Sequence, residues 1–205
     1  MKVLRSYTEA FEPEKVASIS RLIDELDHLS DFRTGYKLYT SEIQGCLTGG
    51  LLLAAGSVSC ALLELFVRDL TVAHRVHSRY EGDMRLRGRV EREIEGDRHF
   101  GFSEMLKELQ LTVITPGDAT KLREFYDQTR IPLAHALVRR PTSHLPGHEV
   151  DELDDLFSDL ARRSSLEDRL EEGALIEVGF VIGIMKTYQP WLLRRYGNSS
   201  ESEGN

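Results

Sequence analysis

Apolar residues recur at spacings of three and four along most of the chain, a period that is typical of amphipathic helices. Residues 13–29 predict such a helix, with Pro13 in its first turn, where the missing backbone N–H costs least. Residues 36–47 predict a second, shorter helix that ends near Gly49 and Gly50. The pattern therefore begins with two helices joined by a short connection.

The next element is the most apolar part of the chain. Residues 51–79 predict one long helix, and the 19 residues from 45 to 63 carry no charge. A stretch of that length could cross a bilayer. Its glycines and hydroxyl residues, and the lack of flanking aromatic residues, instead favour a central helix buried in a bundle.

The middle of the chain alternates between polar and helical patterns. Residues 80–99 are rich in charged residues and predict a solvated, partly mobile connection. Residues 100–114 predict a short helix, and the Thr-Pro-Gly-Asp sequence at 115–118 predicts a turn that starts the next helix. That helix is predicted to extend over residues 118–139, with an interruption at Pro132.

The last third predicts two further helices and a tail. Residues 149–162 form an acidic amphipathic pattern, and residues 166–195 predict a long helix that is kinked or ends near Pro190. Residues 197–205 predict a disordered tail from their composition.

Strand-like alternation is confined to residues 111–115, so the predicted fold class is all-α. We expect a helical bundle built on the long helices near 51–79 and 166–189, with residues 1–196 forming a single domain.

Composition agrees with a globular chain of ordinary size. The chain has 205 residues, of which 40% are hydrophobic and 29% charged. Cys46 and Cys60 are too few for a disulfide framework and are predicted to be small buried side chains. The first residues contain no apolar signal segment, so we expect a cytoplasmic protein.

Charge is distributed unevenly along the sequence. The formal net charge is −8, and residues 149–177 alone account for −8, with eleven acidic and three basic residues. Residues 68–92 and 121–140 each carry +3. The net negative charge therefore argues against a protein that binds nucleic acid over most of its surface. It does not exclude a local anion-binding surface.

Motifs for phosphate loops, metalloproteases, serine hydrolases and paired cysteines are absent from the sequence. His74 and His77 stand three residues apart on a predicted helix, a spacing that is compatible with metal binding. No third ligand is indicated, so we predict neither a metal site nor a cofactor, and a solvated helix face is the simpler interpretation.

Arg130 and His135 are the best candidates for chemistry. Histidine can exchange a proton near neutral pH, and arginine can stabilise the charge that develops on a phosphodiester. In a regular helix the two side chains would point roughly 140° apart. Either a break at Pro132 or a two-fold dimer would bring them together, and Arg139 and Arg140 could then hold flanking phosphates. Alternatively, Arg130 serves an ion pair and His135 a structural role.

The Arg-x4-His sequence from Arg130 to His135 resembles the motif of the HEPN family of small all-α domains, found in prokaryotic defence and toxin–antitoxin systems. The apolar sequence at 60–70 is similar to the family's early core helix, and residues 100–135 are similar to the helix, turn and helix that lead to its motif. The resemblance covers about residues 46–140.

The resemblance implies a homodimer with both motifs at its interface and a metal-independent endoribonuclease activity. Arg130 and His135 would be the catalytic residues, RNA the substrate, and an antitoxin-like protein a potential partner. The residue after the arginine is usually polar in that family, most often asparagine, whereas here it is Ile131. This departure favours the alternative hypothesis, a non-catalytic dimeric module that binds a protein or nucleotide.

Overall fold

The computed structural model describes residues 12–30, 34–127 and 153–197. Within these ranges the chain forms seven α-helices and a single 3₁₀ turn, Met84–Leu86. The helices in chain order are α1 (Pro13–Ser30), α2 (Thr34–Thr48), α3 (Leu52–Arg79), α4 (Arg87–Gly96), α5 (Phe102–Leu109), α6 (Pro116–Phe125) and α7 (Leu153–Gly197). The predicted all-α bundle is confirmed.

The long helices α3 and α7 form the centre of the bundle and run parallel. Gly56, near the start of α3, lies against Ala174 of α7, and the charge of Arg195 in the last turn of α7 reaches His77 in the last turn of α3. Helix α1 lies along the same part of α7, with Lys15 bonded to Glu171 and Leu22 packed on Gly179. The C-terminal ends of α3 and α7 therefore meet at one end of the molecule.

The core is a continuous apolar cluster contributed by every helix except α4. Its largest completely buried side chains lie on α1, α2, α3 and α5: Tyr36, Phe66, Leu26, Leu29, Ile43, Leu47, Leu52, Leu62, Leu63, Leu70, Leu106 and Leu109. The uncharged stretch predicted to be a buried central helix supplies many of them. None of the described helices combines the length and apolarity needed to cross a membrane.

The prediction of a solvated connection over residues 80–99 is wrong. Helix α4 lies there, and its two buried apolar residues, Val90 and Ile94, pack on Val72 and Val76 of α3. A pair of apolar residues at i and i+4 is enough to dock a helix whose other faces are charged. Ion pairs such as that between Arg68 and Glu95 hold the charged side chains against α3.

A buried polar network fixes the start of α4 to three other helices. The Tyr36 hydroxyl of α2 donates to a carboxylate oxygen of Asp69, which is only 6% exposed. The other Asp69 oxygen accepts a bond of 3.5 Å from Arg87. The Arg87 guanidinium also binds Glu91 at 2.6 Å and lies 5.1 Å from the ring centre of Tyr196 in α7.

The prediction of two separate C-terminal helices is also wrong, and of the two alternatives at Pro190, a kink or an end, the structure excludes the end. Helix α7 runs without a break from Leu153 to Gly197 and includes Pro190. Proline inside a helix costs about 3 kcal/mol, through one lost hydrogen bond and a clash of its ring with the carbonyl four residues earlier. Pro190 is exposed, so water can reach the carbonyl left without a donor, and the buried Leu192 keeps the last turns against the core.

Smaller expectations have mixed outcomes. The strand-like residues 111–115 form only an isolated bridge between Gln110 and Ile114. Cys60 is buried as predicted, whereas Cys46 is only half-buried, and both thiols are free. The predicted tail lies outside the described residues beyond Gly197.

Gly56 allows the close approach of α3 and α7. A Cβ atom built there would lie 3.0 Å from a Glu177 carboxylate oxygen and 3.2 Å from the Ala174 Cβ. We expect Gly56→Leu to lower the free energy of unfolding by about 1–3 kcal/mol through overpacking. Gly183→Leu is the matched control, since that position of α7 is exposed with nothing within 4 Å of a Cβ. It should leave stability unchanged or raise it, and equal losses in urea denaturation would contradict the assigned packing.

Candidate functional site

The four residues singled out for chemistry, Arg130, His135, Arg139 and Arg140, lie outside the described residues. The structure therefore describes the chain that leads to them as far as Asp127, and it describes the surfaces of the bundle on which a substrate could bind.

Helix α6 leads towards the Arg130 motif, and its end is fixed by two aromatic stacks. The Tyr126 ring lies 4.4 Å from the Phe102 ring of α5, with an interplanar angle of 10°. The Phe125 ring lies 4.7 Å from the Phe180 ring of α7. The chain thus leaves the described structure at Asp127 from a position that is held between α5 and α7.

The start of α6 is tied to α7 by a hydrogen-bond network. Thr115 is the N-cap, and its hydroxyl accepts from the Asp118 N–H at 3.2 Å. The Tyr188 hydroxyl of α7 donates to Asp118 at 2.6 Å and accepts from the Thr115 N–H at 3.2 Å. The hydrogen bond from Tyr188 lowers the pKa of the Asp118 carboxyl, while burial raises the pKa of Tyr188. Both ends of α6 are therefore held by α7.

The C-terminal ends of α3 and α7 together form a surface that we call the basic end, made by His74, His77, Arg194 and Arg195. His74 is half-buried and His77 is exposed on the last turns of α3. Arg194 and Arg195 lie in the last turn of α7. Helix C-termini favour positive side chains, so part of this charge stabilises the two helix ends.

Both imidazoles of the basic end have a lowered pKa. Desolvation is the main cause for each, and the positive charge of Arg195 lowers both values further. Glu108 of α5 acts in the opposite direction on His74, whereas Arg75 and Arg79 of α3 lower its pKa. The lowered pKa of each imidazole favours its neutral form, which carries one N–H donor and one unprotonated nitrogen.

Arg195 is positioned by an aromatic side chain rather than by a carboxylate. Its guanidinium lies 5.3 Å from the ring centre of Trp191, one turn earlier in α7. Among the residues that the structure describes, Arg194 and Arg195 form no ion pair with an acidic side chain. Their donors are thus available to an external anion.

Arg75, the residue after His74 in α3, is bonded to α5. Its guanidinium makes two hydrogen bonds to Glu108 of α5, at 2.8 and 2.7 Å, and lies 4.1 Å from the ring centre of Phe100. The hydrogen bond with Glu108 raises the pKa of Arg75, which is only 9% exposed. This pair neutralises the buried charge, so the positive field of the basic end comes from residues nearer the surface.

The other end of the bundle is acidic. A groove of about 1160 Å³ between α1 and α7, the acidic groove, is lined by five glutamates and by only Lys15 and Arg21 as basic residues; the glutamates are Glu12, Glu14, Glu25, Glu171 and Glu172. Lys15 is already bonded to Glu171 at 2.5 Å, and Arg21 lies 4.0 Å from Glu25. The groove therefore repels phosphate, in contrast to the basic end.

Among the described residues, His74 and His77 have no third side chain with which they could hold a metal ion. No set of three or more histidine, cysteine or acidic side chains that could hold a metal ion occurs among the described residues. The sequence identified both histidines but could not show that the charge of Arg195, more than a hundred residues later, acts on both of them. The only sequence signal was that basic residues occupy the last turns of two long helices.

Searches with this chain against protein-family models, curated proteins and solved structures found no match.

Proposed function

We propose that this chain is a metal-independent endoribonuclease of the HEPN type, acting as a homodimer. The observation that carries the proposal is the Arg130-x4-His135 sequence, which follows two residues after α6 and its turn at Tyr126 and Asp127. Two features support it: an all-α bundle of the expected class, and the anchoring of α6 at both ends by α7. The anchoring of α6 supports the proposal because proton transfer requires the reacting groups to be held in place.

In the proposed mechanism the ribose 2′-hydroxyl attacks the adjacent phosphorus. His135 takes the 2′-hydroxyl proton or protonates the departing 5′-oxygen, and in a two-fold dimer the two copies of His135 can divide these tasks. Arg130 stabilises the negative charge that builds up on the phosphoryl oxygens. Arg139 and Arg140 hold the flanking phosphates. The products are a 2′,3′-cyclic phosphate and a 5′-hydroxyl, so no oxidant, metal or water is consumed in the cleavage step.

The test uses the full chain with end-labelled single-stranded RNA in excess EDTA. We expect cleavage, with a 2′,3′-cyclic phosphate at the new 3′ end. An oligonucleotide of the same sequence with 2′-deoxyribose throughout should stay intact, because it lacks the nucleophile. Cleavage of both strands, or cleavage that EDTA abolishes, would contradict the mechanism. The oligomeric state, measured by light scattering after size exclusion, should be a dimer.

Ile131 favours a second candidate function, since it cannot supply the polar group that usually follows the arginine in the resembled family. In this case the dimer binds a protein of the antitoxin kind or a nucleotide without cleaving RNA. Intact RNA after long incubation at high protein concentration would select this function over the ribonuclease.

A further inference from the structure

We propose that the basic end binds the backbone phosphates of the single-stranded RNA substrate, at a surface separate from Arg130 and His135. The inference rests on the proposed function for the nature of the ligand. Its own support is the geometry of α3 and α7. Because the two helices run parallel, their last turns place His74, His77, Arg194 and Arg195 on one end of the bundle.

The basic end has the donors that a phosphodiester needs. Arg194 and Arg195 have no acidic partner among the described residues, so their guanidinium groups can each bind a phosphate through paired donors. Trp191 restricts the Arg195 guanidinium, which reduces the entropy lost when it binds. The neighbouring imidazoles add donors at the same place, since a neutral imidazole still presents one N–H.

The arginines without an acidic partner favour this end for a phosphate, whereas the glutamates of the acidic groove disfavour the other. Leu175 lines the acidic groove, and from there to Arg195 the helix α7 extends for about 30 Å at 1.5 Å per residue. Screening at physiological salt reduces interactions beyond about 8 Å. The glutamates of the groove therefore do not cancel the attraction of the basic end, although the formal net charge of the chain is −8.

The same arrangement makes binding depend on pH. The lowered pKa of His74 and of His77 favours the neutral imidazoles, which gain a proton as the pH falls. Glu108 on α5, Arg75 and Arg79 on α3, and Arg195 on α7 act on His74, and Arg195 also acts on His77. Gly82, which lies between the acidic Glu81 and Asp83, is close to the His77 ring. A bound phosphate would counter the repulsion from Arg195, raise both pKa values and tighten binding below pH 7.

The test measures binding rather than cleavage, with a 2′-O-methyl RNA that cannot be cut. We expect Arg194→Ala/Arg195→Ala to weaken binding at least tenfold and to reduce the slope of log affinity against log salt by about 1.4, or 0.7 for each lost phosphate. Arg21→Ala is the matched control, because Arg21 is also an exposed helical arginine but lies at the acidic groove. It should bind RNA as the unchanged chain does.

A second variant tests the imidazoles without touching the core. His77 is exposed, so His77→Gln should fold normally, and it should flatten the rise in affinity between pH 7.5 and 5.5. Undiminished binding by Arg194→Ala/Arg195→Ala would overturn the inference. So would binding of anionic lipid vesicles or acidic peptides with no binding of RNA.

The two proposals fail in different ways. If RNA is cleaved in EDTA while the arginine variants bind and cleave normally, the function stands and the basic end is wrong as the binding surface. If the basic end binds 2′-O-methyl RNA but unmodified RNA is never cut, the binding surface stands and the ribonuclease is wrong.

Discussion

Replacing His135 with alanine should reduce RNA cleavage in EDTA by about 10²- to 10⁴-fold, the range expected when a general acid or base is lost. Binding of uncleavable RNA should be unchanged, because the arginines rather than His135 hold the phosphates. Single-turnover rates with labelled RNA provide the measurement. Added imidazole should restore part of the rate, since the variant leaves space for a diffusing base of the same chemistry.

His99→Ala is the matched control for that experiment. His99 is an exposed residue in the short connection between α4 and α5 and is not part of the motif sequence, so its loss should not change the rate. Circular dichroism should show that both variants fold as the unchanged chain does. Full activity of His135→Ala, or equal losses in the two variants, would refute the catalytic assignment.

Replacing Glu108 with alanine should lower the free energy of unfolding by about 3 kcal/mol, the lower part of the range for removing one partner of a buried ion pair. The change leaves the Arg75 guanidinium, which is only 9% exposed, without its two carboxylate bonds. We place the cost in the lower part of that range because the Glu108 side chain is 22% exposed and water can reach the vacated site. Urea denaturation followed by circular dichroism measures the loss.

Two further variants separate the buried charge from other effects. Glu104→Ala, on the same helix, removes an ion pair with Lys107 whose side chains are 42% and 64% exposed, so it should cost less than about 1 kcal/mol. The double variant Arg75→Met/Glu108→Met removes both charges and should recover most of the stability lost in Glu108→Ala. A double variant as unstable as Glu108→Ala would show that packing, not the unpaired charge, causes the loss.

The helices of the N-terminal half could be predicted from the sequence almost to the residue. Helix α3 was expected over 51–79 and spans Leu52–Arg79, because apolar residues on nearly every face leave no alternative to burial. The sequence also predicts the start of α6. Thr115, followed by Pro116 and Asp118, is a local capping signal that depends on no distant residue.

Helix α4 shows why a charged segment could not be interpreted from the sequence. Its pattern offered only Val90 and Ile94 as buried positions, and its ion pairs with α3 join residues that are far apart in the chain, such as Arg68 and Glu95. Pro190 is the opposite case, because there the local sequence suggests a helix boundary that the folded chain does not require. A local rule predicts a kink or an end to the helix there, but the helix continues and the buried Leu192 packs its last turns against the core.

The all-α class, the central helices and the Arg-x4-His spacing that suggests phosphodiester chemistry can all be read from the sequence. These depend on local spacing and composition, which the chain carries whatever its fold. The parallel course of α3 and α7, the effect of Arg195 on His74 and His77, and the acidic groove between α1 and α7 emerge only in the folded chain. The physical reason is that helix direction and contact between distant residues follow from the packing of apolar faces in three dimensions, which helical periodicity alone does not specify.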